Sequence, residues 1–301
     1  MSFKVISSGI FTTLQDSGRY GYTHEGRTPS GVMDEYAYLW SQKLLNNKNI
    51  NALEVMVGLK LQSLTSSVIS ITGANLDFKI NGVSKSSWQT YNIQKDDVLA
   101  FTKRVSGQRA YLAVKGGFLF KKNRGSFSTT LKENIGKKLE RGEVLETEAL
   151  ALNNRKQEFR FRTIKHFIPD YNKPLVLRLL LSYQENYFTK EEKEKFFSSE
   201  YEVTLQSDRM GFKLKGQAIT PTKGGIISEG IAFGSVQIPK DGQPIVLLKE
   251  RQTIGGYPKI GTILPVDCFS LAQISIGSKI SFKPIDIEES EETMKAFYSS
   301  F

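Results

Sequence analysis

Residues with acid, base and amide side chains are packed most densely between positions 227 and 273. The stretch holds Gln237, Lys249-Glu250-Arg251-Gln252-Thr253, Gly255-Gly256-Tyr257-Pro258 and Asp267. Arginine offers a planar fork of donors that matches a carboxylate or phosphate, while side-chain amides and backbone N–H groups can polarise a carbonyl. Interleaved glycines let the backbone approach a ligand closely. The chemistry suggested is capture of a small amide, carboxylate or phosphate. Arg251, Gln252 and Asp267 are the candidate catalytic groups, and Gln237, Thr253, Gly255, Gly256 and Tyr257 the candidate substrate contacts. The same residues also read as a plain turn at Gly255-Gly256, with Arg251 paired to Glu250 or Asp267. No nucleophile–base pair is visible.

Two further groups carry weaker signals. Lys115 stands with Gly116-Gly117 directly after an apolar run, where a lysine can reach an anion, although most lysines only solvate. Asp16 and Arg19 lie in Thr13-Leu14-Gln15-Asp16-Ser17-Gly18-Arg19, and Asp208 and Arg209 lie in a similar run. Two related Asp–Arg pairs are more economically structural ion pairs than two active sites. With Asp34 and Glu54 they stand as structural or possible site residues.

Much chemistry is excluded outright. Cys268 is the only cysteine and His24 and His166 the only histidines, so disulfides, CxxC pairs and thiolate or three-histidine zinc sites cannot be built. His24-Glu25 can shuttle protons but begins no HExxH motif, and no metal site is expected. No two glycines are spaced two apart, which removes GxGxxG; GxSxG is absent because the one pair spaced four apart, Gly230 and Gly234, flanks Ala232, and a phosphate-loop motif is also absent. Neither a signal peptide nor an apolar run near the ~20 residues of a membrane span is found, so a cytoplasmic location without membrane contact is expected.

The 301 residues suggest two domains, since a single core seldom grows beyond roughly 250–300 residues. With 41 Lys+Arg against 31 Asp+Glu the net charge is +10, which invites a nucleic-acid reading. Seven cations and one acid lie between Lys115 and Lys138, and Arg155, Lys156, Arg160, Arg162 and Lys165 form a second basic stretch. No RNA-recognition aromatic motif, helix-turn-helix or zinc finger accompanies them, so a solvated surface without nucleic acid is expected.

The elements that must position these groups are mostly short strands, expected at 68–71, 77–80, 98–101, 110–114, 175–181, 201–205, 235–238, 245–248 and 279–282. Asn81-Gly82 predicts a type I′ hairpin, and Asp241-Gly242 a second turn of that kind. Asp34 caps one expected helix running to Asn46-Asn47, and Thr189 opens another. Arg19, Gly21 and Gly26 recur as Arg209, Gly211 and Gly216 at a constant offset of 190 (209 − 19, 211 − 21, 216 − 26), and later strands parallel one another in order. Two related, closed or half-closed β-barrels follow, over 1–170 with a crossover segment and over 171–301 with an acidic tail.

Thr13–Gly21, Ser30-Gly31-Val32-Met33-Asp34, Asn51-Ala52-Leu53-Glu54, Ala110–Gly117, Ser207–Gly216, Gly234–Pro239 and Arg251–Pro258 with Asp267 together resemble the biotin-dependent carboxyltransferase family, also called allophanate hydrolase subunit 2. The resemblance implies a mainly β fold of two tandem, related cyclophilin-like β-barrel domains with few short helices. It implies an enzyme subunit, most like those of multi-subunit 5-oxoprolinase, which opens the 5-oxoproline lactam to glutamate with ATP. Its partners would be companion subunits of the B type and the A type, and the chain alone would be inactive. Other members transfer carboxyl groups from biotin to urea, or antagonise a histidine-kinase inhibitor. Two stretches depart from the family: Ser182-Tyr183-Gln184 replaces Gly-Pro-Gln, and Arg124–Thr129 matches a Gly-Ser-Arg-Ser-Thr run only loosely. No Ala-Met-Lys-Met biotinylation site is present, so no biotin is attached to this chain.

Overall fold

The protein is described by a computed structural model covering residues 2–48, 50–148 and 160–301. Arg155 and Lys156 of the second basic stretch lie outside the described residues. The chain forms two compact units, Met1–Arg19 with Ser30–Asn172, and Tyr20–Pro29 with Lys173–Phe301.

The first unit is built from β1 (Ser2–Ser8), β2 (Thr12–Gln15), α1 (Glu35–Leu44), β3 (Ala52–Val55), β4 (Leu59–Ser63), β5 (Ser67–Asn75), β6 (Phe78–Ile80), β7 (Val83–Ser84), β8 (Gln89–Ile93), β9 (Val98–Phe101), β10 (Ser106–Val114) and β11 (Val144–Glu146). They form two sheets, in the orders β11-β1-β4-β9-β6-β7 and β2-β3-β10-β5-β8. A single core joins them, with Phe3, Val5, Leu61 and Phe101 from the first sheet and Leu53, Ile69, Ile71 and Leu112 from the second. β5 is buried on both faces because α1 covers its outer side: Ser70 Oγ donates to the Ser41 carbonyl at 2.8 Å and Thr72 Oγ1 to that of Ala37 at 2.6 Å. Asp34 caps α1 by accepting the Ala37 N–H at 3.0 Å. Asn81 and Gly82 both have positive φ, 51° and 80°, as the β6–β7 type I′ hairpin requires.

The second unit contains β12 (Leu175–Leu181), α2 (Lys190–Ser198), β13 (Glu200–Ser207), β14 (Gly211–Gly216), β15 (Glu229–Gly230), β16 (Ser235–Gln237), β17 (Ile245–Leu247), β18 (Ile254–Gly255), β19 (Lys259–Ile263), α3 (Pro265–Leu271), β20 (Lys279–Pro284) and α4 (Ile287–Ser299). Seven strands close into a barrel, β12-β19-β16-β17-β14-β13-β20, sealed by parallel pairing of β12 with β20. Closure leaves the barrel no open edge. α2, capped by Thr189, packs Phe196 against Phe282 and Tyr201, with ring centroids 4.5 and 5.7 Å apart.

The structure departs from the sequence expectations in four places. Helices α3 and α4 were not expected. The acidic tail is α4, whose charged first turn is capped by Asp286 accepting the Glu289 N–H at 2.8 Å. At 241–242 only Gly242 has positive φ (71°); its N–H returns to the Pro239 carbonyl at 2.9 Å, so Lys240 and Asp241 are the central turn residues. The 190-residue offset is not followed locally either: Gly211 opens a strand, whereas Gly21 lies in a loop leading to a single 3-10 turn, Thr23–Glu25.

Candidate functional site

The dense polar stretch folds around a short ribbon in the second unit. β15 and β18 pair antiparallel, Glu229 opposite Gly255 and Gly230 opposite Ile254. The ribbon is extended by Ile231 N–H to the Thr253 carbonyl at 3.1 Å and Ile226 N–H to the Gly256 carbonyl at 2.9 Å. Gln237 arrives from β16, only 4% exposed, and its side-chain Nε2 has no hydrogen-bond partner. Gly255 makes this approach possible: a Cβ there would stand 2.8 Å from Gln237 Nε2 and 2.7 Å from Ile231 Cδ1. An unsatisfied buried amide costs about 1–3 kcal/mol, which a ligand carbonyl or carboxylate at this point would recover.

Beside it, Lys259 points from β19 and is 5% exposed. Its Nζ pairs closely with Glu229, whose carboxylate also receives Gln184 Nε2 at 2.6 Å and the Tyr183 hydroxyl. Gln184 Oε1 in turn accepts the Lys259 N–H at 2.8 Å. Burial works to raise the Glu229 carboxyl pKa, but the hydrogen bonds from Lys259, Tyr183 and Gln184 outweigh it and leave the pKa below its ordinary value. The bond to Glu229 raises that of the Tyr183 phenol. Ser182-Tyr183-Gln184, a departure from the family pattern, therefore supplies two of the groups that hold this acid.

Arg251 is held by carbonyls: its Nε donates to that of Ile231 at 2.9 Å and its Nη1 to that of Leu248 at 3.2 Å. Burial pulls its pKa below the ordinary arginine value, with Tyr20 opposing. The Phe233 ring lies beneath both Arg251, 5.9 Å to its centroid, and Lys249, 4.8 Å. Neither expected acid is its partner. Glu250 takes Arg209 Nε at 2.5 Å, and Asp267, in the first turn of α3, binds Arg178 through Nε at 3.0 Å, Nη2 at 2.7 Å and the backbone N–H at 2.7 Å. Both oxygens of Asp267 are engaged in this fork.

Gln237, Thr253, Gly255, Gly256 and Arg251 are thus brought together on one ribbon and its neighbouring strand, while Gln252 and Tyr257 point outward and are exposed. Asp267 is tied into its ion pair. Lys115 belongs to the first unit, where its Nζ donates to the Leu45 and Asn46 carbonyls at 2.6 and 3.0 Å and so seats a cation at the C-terminus of α1. Lys259, Glu229 and Gln184 were missed. Lys259 could have been found two residues after Tyr257, at a strand start whose alternation turns it inward.

The two corners are internal frames. The Asp16 carboxylate accepts Ser126 Oγ and Ser128 Oγ at 2.6 Å each, the Phe127 N–H at 2.7 Å and the Gly18 N–H at 2.9 Å. Arg19, also buried, donates to Thr130 Oγ1 at 2.7 Å. Asp208 likewise accepts the N–H two residues on, that of Met210, at 2.7 Å. Glu54 accepts the Tyr111 hydroxyl and the Met33 N–H, both at 2.8 Å, and Asp34 accepts the Tyr171 hydroxyl at 3.0 Å. Among the described residues no cluster of metal-ligating side chains is present.

Residues 25–284 match the carboxyltransferase domain, subdomains A and B. The chain belongs to this family. It is 32% identical over 290 residues to the 5-oxoprolinase C subunit of Escherichia coli (strain K12), covering 95% of this chain and 92% of that protein. It is 25% identical over 310 residues to the urea amidolyase of Saccharomyces cerevisiae, covering 95% of this chain and 17% of that one. The crystal structure of the K. lactis urea amidolyase superposes with a TM-score of 0.90 at 22% identity, over 99% of this chain and 20% of that chain. The mainly β fold expected from the sequence is the fold of this family, with the difference that the strands of the first unit form two hydrogen-bonded sheets. Among the described residues no helix is long and apolar enough to cross a membrane.

Proposed function

We propose that this chain is the amide-binding component of a cytoplasmic, ATP-dependent 5-oxoprolinase, opening the 5-oxoproline lactam to glutamate together with companion subunits of the B and A types. The observation that carries the proposal is the buried, unpartnered Gln237 amide held against Gly255, a donor set where a lactam carbonyl or carboxylate would accept. Arg251 suits the carboxylate, since an anion would relieve a cation that burial disfavours. Opening the ring breaks the lactam C–N bond, adds water at the carbonyl and leaves a free amine, with ATP hydrolysis in the complex driving the step. The full-length likeness to the 5-oxoprolinase C subunit supports this substrate over a urea-derived amide, for which the matching relatives are several times longer than this chain.

The test is co-purification with the companion subunits, followed by glutamate release from 5-oxoproline and ATP. Gln237→Leu should lower turnover by about a hundredfold while the complex still assembles. Unchanged turnover in that variant would remove Gln237 from the site, and release of glutamate by this chain alone would overturn the shared-complex reading.

A further inference from the structure

The seven-cation stretch takes no part in the site described above. In the structure three of its cations border a cavity of about 400 Å³ in the first unit, within the size range of small-molecule sites. Leu14, Phe127, Ile135 and Leu139 give it an apolar side, and Lys121, Lys122 and Lys137 line it as well. The one acid in the lining, Glu143, is occupied: it accepts the Glu140 N–H at 3.0 Å and lies 3.5 Å from Lys137 Nζ. Among the described residues no carboxylate pairs with Lys121 or Lys122. Lys122 Nζ instead stands 4.9 Å from the centroid of the Phe127 ring.

The walls are fixed before any ligand arrives. Asp16 anchors one through Ser126 and the Phe127 N–H, and Asn123 and Ser126 exchange two backbone hydrogen bonds, 2.8 and 3.1 Å, across Arg124-Gly125. Arg124 and Gly125 both have positive φ, 49° and 79°. In the other wall, Thr130 and Ile135 likewise exchange two bonds, and a Cβ at Gly136 would lie 2.7 Å from Thr129 Oγ1. A preorganised pocket loses little entropy on binding.

We infer that this cavity binds a nucleoside phosphate, its base against Phe127 and the aliphatic wall and its phosphates on Lys121 and Lys122. A bare phosphate would leave the aromatic side unused, and an apolar ligand would leave the two exposed lysines unused; a molecule with one flat apolar part and one polyanionic part engages both. Lysine serves phosphate as a point charge. The assignment rests on the ATP-dependent reading above for its biological use, but its test does not.

The experiment is calorimetric titration of the purified full chain with ATP, adenosine and pyrophosphate. ATP should bind saturably, and pyrophosphate and adenosine each about tenfold or more weaker. The exposed pair Lys121→Glu/Lys122→Glu, with its melting temperature checked against the parent, should weaken ATP by about tenfold or more. No saturable ATP binding, or equal affinity in the charge-reversed variant, would overturn the site. Pyrophosphate binding as tightly as ATP would overturn the role of the apolar wall. Failure of glutamate release by the complex, with ATP binding intact, would count against the proposed function and leave the cavity standing.

Discussion

Gly255 and Gln237 act as a pair, because the side chain of one occupies the space that any Cβ on the other would need. Gly255→Ala should therefore displace the Gln237 amide and strain the ribbon, costing roughly 1–3 kcal/mol as overpacking does. Denaturant titration measures the stability change, and the assembled complex measures turnover. Turnover equal to the parent with stability unchanged would show that the glycine is not needed for the approach. Asp267 and Glu250 illustrate a different rule. Each acid is taken by an arginine far away in sequence, Arg178 and Arg209, so the neighbouring Arg251 remains on backbone carbonyls. Sequence adjacency had suggested the opposite pairing, because the separations of 89 and 41 residues are set by barrel closure and leave no local trace.

At the scale of elements, what depends on neighbours in the chain was legible and what depends on distant chain was not. The caps at Asp34 and Thr189 and the Asn81-Gly82 hairpin are local choices of backbone conformation, and each appears where its residue types require. α3 escaped because its seven residues begin on a proline and end within two turns, too short for a helical period to show. The β6–β7 hairpin carries a pH-dependent fastening. Asp77 accepts Thr102 Oγ1 at 2.7 Å and Ser84 Oγ at 2.9 Å. The Thr102 hydroxyl first, then that of Ser84, lowers its carboxyl from the ordinary 3.8 to about 2. A depressed folded-state pKa gives stability that is present above the unfolded value and lost as pH falls through the folded one. The melting temperature should thus fall between about pH 4 and pH 2, and less steeply in Asp77→Asn. Parallel slopes for the two proteins would contradict the assignment.

Across the whole molecule, the net charge of +10 was a poor guide and its distribution a better one. Lys121, Lys122 and Lys137 flank a cavity in the first unit, whereas among the cations of the candidate site in the second, Lys259 and Lys249 are buried and Arg251 half-buried, so they add little to the surface field. The family pattern made the β fold and the polar ribbon legible as stretches of sequence. It did not reveal that Lys259 meets Glu229, since that contact needs two strands brought together from 30 residues apart.

The parallel seam between β12 and β20 has a mechanical consequence. β12 is the first strand of the barrel in chain order and β20 the last, with Leu175 opposite Ile280 and Leu179 opposite Pro284. Tension applied to the start of one strand and the end of the other runs along both in opposite senses, so the seam is loaded in shear and its bonds must yield together. A hairpin pulled from its open end would instead give way one bond at a time. Single-molecule stretching of the chain held at residues 173 and 286 should show a distinct force peak for this unit, and a gradual, peakless extension would contradict it. A barrel closed in this way keeps the strands around its polar ribbon in register under load.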